Sequence, residues 1–139
     1  MAKSLYITVL GCGRLGSILA SDLSQQGHNL VIIDQDKSTF AHLQAEFSGF
    51  TLRGDAAEMQ VLEEAKLDKA DCLIAVTGKD NLNIMVSQLA KAVFNVPLVL
   101  TRILDPAREE IYQKLGLTII STTKISAQAF LQKLEQISS

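Results

Sequence analysis

The sequence predicts a doubly wound α/β fold, a parallel six-stranded sheet with helices on both faces. Three observations predict it. Short Val/Ile/Leu runs recur along the 139 residues, as strands do when both faces of a sheet are covered. Between them the apolar residues switch to the 3.6-residue rhythm of helices with one packed face. The two patterns alternate from start to end without a Pro/Gly/Ser-rich linker, low-complexity tract or internal repeat, the order of a sheet built from β-α units. Residues 1–139 read as one domain, long enough to bury a core without disulfides or a metal.

Leu5 to Leu10 forms the first strand, closed by Gly11. In the helix that follows, Leu15, Ile18, Leu19 and Leu23 repeat, and Gly27 ends it. Leu30 to Ile33 is the second strand, with a helix after it carrying Phe40, Leu43 and Phe47. Phe50 to Leu52 makes a short third strand, and a more polar helix runs around Met59 to Lys66. Cys72 to Val76 is the fourth strand, ended by Thr77-Gly78. Asp80 is placed to N-cap a long helix with the stripe Leu82, Met85, Val86, Leu89 and Val93. Pro97 opens the fifth strand, Leu98 to Thr101. Asp105-Pro106 caps the next helix, with proline at the first helical position and Ala107, Ile111 and Leu115 facing inward. Gly116 stops it before the sixth strand, Leu117 to Ile120, and a last helix carries Ala127, Phe130, Leu131, Leu134 and Ile137.

Composition narrows the function classes. Hydrophobic residues at 47% and charged residues at 20% exclude disorder. Thirteen basic against fifteen acidic side chains give a net charge of −2, which argues against nucleic-acid binding through a basic stripe. Cys12 and Cys72 cannot make a disulfide framework, and no Cys/His group has zinc spacing, so a reduced cytoplasmic compartment fits. No apolar run approaches the roughly 18 residues of a transmembrane helix. The Leu5–Leu10 run is also shorter than a signal core of about 7–15 residues. The expectation is a soluble, intracellular chain.

Gly11-Cys12-Gly13-Arg14-Leu15-Gly16 matches G-x-G-x-x-G between the first strand and the first helix, and Asp34 ends the second strand 23 residues after Gly11. Each part has a task. Gly11 permits the tight turn, Gly13 lets backbone approach a phosphate, and Gly16 lets the helix pack close to the sheet. The free amides and positive end of the helix then face an anion. Asp34 accepts from adenosine ribose hydroxyls and repels a 2′-phosphate, so NAD(H) or an adenine nucleotide (ATP, ADP, AMP) is favoured over NADP(H). Arg14 sits in the first helical turn, where the dipole disfavours a cation, and a polyphosphate above it explains the choice. Three more loops follow strand ends, where ligands bind in such Rossmann-like sheets. They contribute Asp55 and Ala56 to an adenine pocket, Thr77 and Gly78 to ribose or pyrophosphate, and Arg102 after strand five.

No catalytic residue is expected. His28 and His42 read as solvent-facing, Cys12 as a small space-filler at a helix N-terminus, and Cys72 as core. Hydride transfer also needs a substrate pocket and a proton donor, normally supplied by a second domain.

With these loops in place the chain resembles the N-terminal nucleotide-binding domain, called RCK or KTN, of the regulatory subunits of Trk- and Ktr-type potassium uptake systems. The residues that carry the likeness are the glycine loop from Gly11 to Gly16, Asp34-Gln35-Asp36, Gly54-Asp55-Ala56, Ala75-Val76-Thr77 with Asp80 and Asn83, and Arg102. The resemblance implies a sensor in which Gly11 to Leu15 hold phosphates, Arg14 reaches a β- or γ-phosphate, and Asp34 holds the ribose. Gln35, Asp55, Ala56, Thr77, Gly78 and Arg102 line the rest. It implies a homo-oligomer, a dimer or higher ring, against the cytoplasmic side of a membrane potassium channel or transporter subunit. Two departures are visible. The family's C-terminal ligand-binding domain is not in this sequence, and Thr122-Thr123 stands where some members place a Pro-Glu pair serving a metal, so no metal is expected. The competing expectation is an NAD-binding subunit or fragment of an oxidoreductase.

Overall fold

A computed structural model describes residues 3–138. Six strands, β1 (Tyr6–Leu10), β2 (Asn29–Asp34), β3 (Phe50–Arg53), β4 (Cys72–Ala75), β5 (Leu98–Ile103) and β6 (Thr118–Ser121), form one sheet in the order β3-β2-β1-β4-β5-β6. Every pairing is parallel. The order reverses between β1 and β4, where Val9 is level with Ile32 on one side and Ile74 on the other. Such a switch point opens a crevice beyond the carboxyl ends of the strands. The helices are α1 (Arg14–Gln25), α2 (Met59–Glu64), α3 (Asp80–Ala92), α4 (Glu109–Gln113) and α5 (Thr122–Ser138).

Residues on alternate sides of the strands feed two cores. Leu10, Ile33, Leu73 and Val99 pack under α2 and α3 with Leu62, Val86 and Ala90. Ile7, Val9, Ile32 and Ile74 pack under α1 with Ala20. Fold class and strand positions agree with the sequence expectation, and the helices correct it in four places.

The helix expected to carry Phe40, Leu43 and Phe47 is a 3-10 segment, Lys37–His42, followed by irregular chain. The reason lies in its neighbour. Ser21 and Ser24 of α1 accept from the amides of Gln44 and Ser48 at 3.3 and 3.0 Å, taking amides a longer helix would need. The apolar residues still bury against α1, so their spacing reported packing and not helix type.

On α1 and α3 the buried faces are smaller and more polar than expected. Gly16, Ser17, Ala20, Ser21 and Ser24 are the buried residues of α1, while Ile18 is exposed. On α3 they are Asn83, Ile84, Val86, Ser87 and Ala90; Met85 and Val93 face outward. Small residues let a helix sit close to the sheet. Bulky ones are displaced to its flanks, as with the partly buried Leu82 and Leu89.

Asp80 does not cap its own helix. Lys79 is the N-cap residue, and the Asp80 carboxylate instead accepts from the amides of Leu104 and Asp105 at 2.7 and 3.0 Å, holding the end of β5 to the start of α3. Asp105 does cap, accepting from Ala107, but it opens a 3-10 turn, Pro106–Arg108, before a five-residue α4. That turn rotates the face: Ala107, Ile111 and Leu115 are exposed, and Tyr112 packs inward.

Candidate functional site

The carboxyl ends of β1, β2, β3, β4 and β5 surround a cleft of about 480 Å³. Among the residues expected to hold a ligand, Gly11, Gly13, Asp34, Gln35, Asp55, Ala56, Thr77, Gly78 and Arg102 line it. Cys12, Arg14, Leu15 and Gly16 stand outside its walls. Leu10, Ile33, Ala56, Val76 and Leu82 give it an apolar floor between the polar edges.

Gly11 has φ +103°, and a Cβ there would lie 3.0 Å from Thr77 Cα, Thr77 N and the Val76 carbonyl. Only glycine lets β1 turn into α1 so close to β4. Gly16 is tighter still, since a Cβ would fall 1.8 Å from the Gly11 carbonyl oxygen. Gly13 is the opposite case. Its φ is an ordinary −76°, and nothing lies within 4 Å of where a Cβ would be. Space kept open there, beside the start of α1, is a cradle that a side chain would fill. The first bond of α1 runs from the Ser17 amide to the Gly13 carbonyl. The amides of Arg14, Leu15 and Gly16 precede it, which leaves donors at the positive end of the helix. Arg14 is exposed, and among the described residues its side chain has no ion-pair partner.

Asp34 and the loop are joined directly. Asp34 Oδ2 accepts from the Cys12 amide and Oδ1 from the Asp36 amide, each at 2.8 Å. The other lone pairs of the carboxylate remain for a ligand. Cys12 is the underside of the loop: its thiol donates to the Thr39 carbonyl at 3.4 Å, and His42 Nδ1 lies 3.2 Å from the Cys12 carbonyl oxygen. Burial, and after it the Asp34 charge, push the Cys12 thiol above its ordinary pKa, which favours the protonated thiol. Cys72 is driven up to about 11 by burial in β4. His42 is exposed as expected. His28 is not a free surface group, because it is half-buried and its Nδ1 accepts from the Leu5 amide at 3.0 Å.

The opposite wall is built around Asn83, which is fully buried. Its Oδ1 accepts from the Thr77 amide at 3.0 Å and from the Thr77 hydroxyl at 2.6 Å. Its Nδ2 donates to the carbonyls of Thr77 and Arg102 at 3.1 and 3.0 Å. Arg102 in turn donates from Nη2 to the carbonyls of Val76 and Thr77, at 2.8 and 3.0 Å. Asn83 thus ties β4 to β5 and fixes the loop that carries Thr77, Gly78 and Lys79. Sequence reasoning reached Asn83 only through the family resemblance, and it missed Lys79, a cation on the rim. Its position inside the Thr77–Asp80 loop was the available signal.

An apolar groove of about 310 Å³ lies behind this wall, between α1 and the root of α5, lined by Leu15, Leu19, Ile74, Leu100, Ile120 and Ile125 with Val76 and Arg102. Past Ile125, α5 stands away from the sheet, with Phe130 79% and Ile137 84% exposed. Among the described residues no helix is long and apolar enough to cross a membrane, and no group of three or more His, Cys, Asp or Glu side chains could hold a metal.

Strand order, glycine loop and terminal acid define the class: a Rossmann-type α/β domain with a cleft at the switch point. The comparisons narrow it. Residues 7–123 match the TrkA-N domain, and the chain belongs to that family. A curated relative, the Trk system potassium uptake protein TrkA of Streptomyces coelicolor, is 38% identical over 130 residues. That alignment takes in 94% of this chain and 58% of the relative, so the chain spans little more than half of that protein. Among solved structures, the Shewanella denitrificans Kef CTD in its AMP-bound form superimposes with a TM-score of 0.80 at 25% identity, over 96% of this chain and 82% of that one. The GsuK channel bound to NAD gives a TM-score of 0.84 at 22% identity, over 99% of this chain and 24% of that one, a likeness of fold.

Proposed function

We propose that this chain is the nucleotide-sensing domain of a potassium-uptake regulator, binding NAD(H) or ATP, ADP or AMP in the switch-point cleft. The open space over Gly13, next to helix amides that precede the first bond of α1 and with Asp34 placed 23 residues after Gly11, carries the reading. The pyrophosphate or α-phosphate lies over Gly11 and Gly13 and takes the amides of Arg14, Leu15 and Gly16. Asp34 holds the ribose, Gln35, Asp55 and Ala56 border the adenine, and Thr77, Gly78 and Arg102 close the far side. Arg14, exposed in the first turn of α1, reaches over the loop to a terminal phosphate. The Kef CTD in its AMP-bound form and the GsuK channel bound to NAD, which share this fold over nearly the whole of this chain, both hold adenine nucleotides.

The output is mechanical. Phe130, Leu131, Leu134 and Ile137 make an apolar face on α5 that its own sheet leaves exposed. The groove at the root of α5 offers an apolar seat, and its occupant in this reading is α5 of a second copy, by two-fold exchange. The resulting oligomer sits against the cytoplasmic face of a membrane potassium transporter, and nucleotide acts through different affinities for its arrangements. Calorimetry with each nucleotide on the purified protein tests the binding step, and turnover of NADH with candidate substrates tests for an oxidoreductase.

A further inference from the structure

The nucleotide cleft and the apolar groove share two lining residues among those described, Val76 and Arg102. We propose that Arg102 is the positioning residue that transmits nucleotide binding to the groove, its guanidinium choosing between the β4 carbonyls and a phosphate in the cleft. This rests on the nucleotide-sensing reading and on self-association through α5.

Three observations carry it. First, the backbone of Arg102 is pinned: it lies in the β5–β6 ladder level with Ile120, and its carbonyl accepts from the buried Asn83. Any response therefore falls to the side chain. Second, the guanidinium is only partly satisfied. Nη2 serves both the Val76 and Thr77 carbonyls, while Nε is buried with no acceptor among the described residues. A buried donor in that state is costly, and burial also holds the group below the ordinary arginine pKa. A phosphate would offer it an anionic partner and a bidentate geometry that the two carbonyls do not.

Third, the same side chain borders the groove beside Leu100 and Ile120. An apolar helix seated there disfavours a charge in the wall, and turning the guanidinium toward a phosphate removes it. Both ligands then favour one arrangement of one side chain, and their effects on each other must be equal in size. Arg14 cannot serve this way, since it lines neither the cleft nor the groove.

The test is sedimentation equilibrium on the full chain, alone and saturated with whichever of NAD⁺, NADH, ATP, ADP and AMP it binds in calorimetry. The wild type should tighten its self-association by a factor in the usual coupling range, about 5–150-fold. Arg102→Met, folded by its melting curve and saturated with nucleotide, should shift by less than about twofold, well under that range. Arg102→Lys, a cation still able to choose between carbonyls and phosphate, should recover part of the shift. Should Arg102→Met not fold, Arg102→Gln, which keeps N–H donors for the carbonyls without a charge, takes its place with the same expectation. A wild-type shift in the uncharged variant, or a lysine variant no better than it, overturns the proposal. So does a wild type that binds nucleotide without changing its self-association. A wild type that binds none of NAD⁺, NADH, ATP, ADP and AMP in calorimetry overturns the sensing reading itself, and this inference with it.

Discussion

Asp34 Oδ2 accepts the Cys12 amide at 2.8 Å, so the acid that ends β2 also braces the glycine loop at the end of β1. In the proposed function one side chain therefore shapes the phosphate cradle and selects the sugar. Asp34→Ala should weaken an adenosine ligand by about 1–3 kcal/mol, the range for lost hydrogen bonds to a charged group. In calorimetry NADPH should bind far more weakly than NADH to the wild type. Equal affinities would contradict the role given to Asp34.

Asn83 makes four hydrogen bonds from a fully buried position. Asn83→Ala strips the Thr77 amide and the Arg102 carbonyl of partners, at about 1–3 kcal/mol for each buried group left unpaired. Asn81, two residues earlier and exposed, is the control: its alanine variant should stay within about 0.5 kcal/mol of wild type. Urea titrations of both variants decide it, and comparable midpoints would remove Asn83 from the account.

What could be read in advance follows from which forces leave a local mark. Continuous apolar runs such as Leu30–Ile33 give strands directly, because both sheet faces are covered. The glycine loop was legible because Gly11 and Gly16 answer to contacts within their own β-α unit and β4. The helix faces were less legible. In α3 the sheet wants small groups, Ser87 and Ala90, and Ser87 is bonded to Thr101 at 2.7 Å, a partner 14 residues on. The segment after Asp34 was misread as a helix because the hydroxyls that claim its amides lie on α1. Asn83 supports the cleft wall through contacts between α3, the end of β4 and β5, which no local pattern displays.

The thiols make a pH prediction. Cys72, with its folded pKa raised from 9.0 to about 11, favours the protonated form in the fold. Its contribution to stability is whole below pH 9 and is lost as pH rises toward 11. Cys12 and Tyr6, also raised by burial, act in the same direction. Melting temperatures should therefore fall through this alkaline window, and less steeply in Cys72→Ala than in wild type. Parallel curves would show that Cys72 carries none of the dependence.

Leu131 is 60% exposed on the outer half of α5. Leu131→Glu should leave the stability of a single chain within about 0.5 kcal/mol, as surface changes do. It should abolish self-association in light scattering. A variant that associates like wild type would place the contact elsewhere, and a wild type monomeric at all micromolar concentrations would end the α5 exchange.

The central claim is that an adenine nucleotide lies over Gly13, and paired calorimetric titrations of wild type and Gly13→Val with NAD⁺, NADH, ATP, ADP and AMP test it most directly. Gly13 has an ordinary φ and open space in place of a Cβ, so the valine variant should fold, unlike Gly16→Ala, whose methyl meets the Gly11 carbonyl. The account predicts saturable binding of at least one of the five to the wild type and none to folded Gly13→Val. No binding to the wild type, or unchanged affinity in the variant, would contradict it.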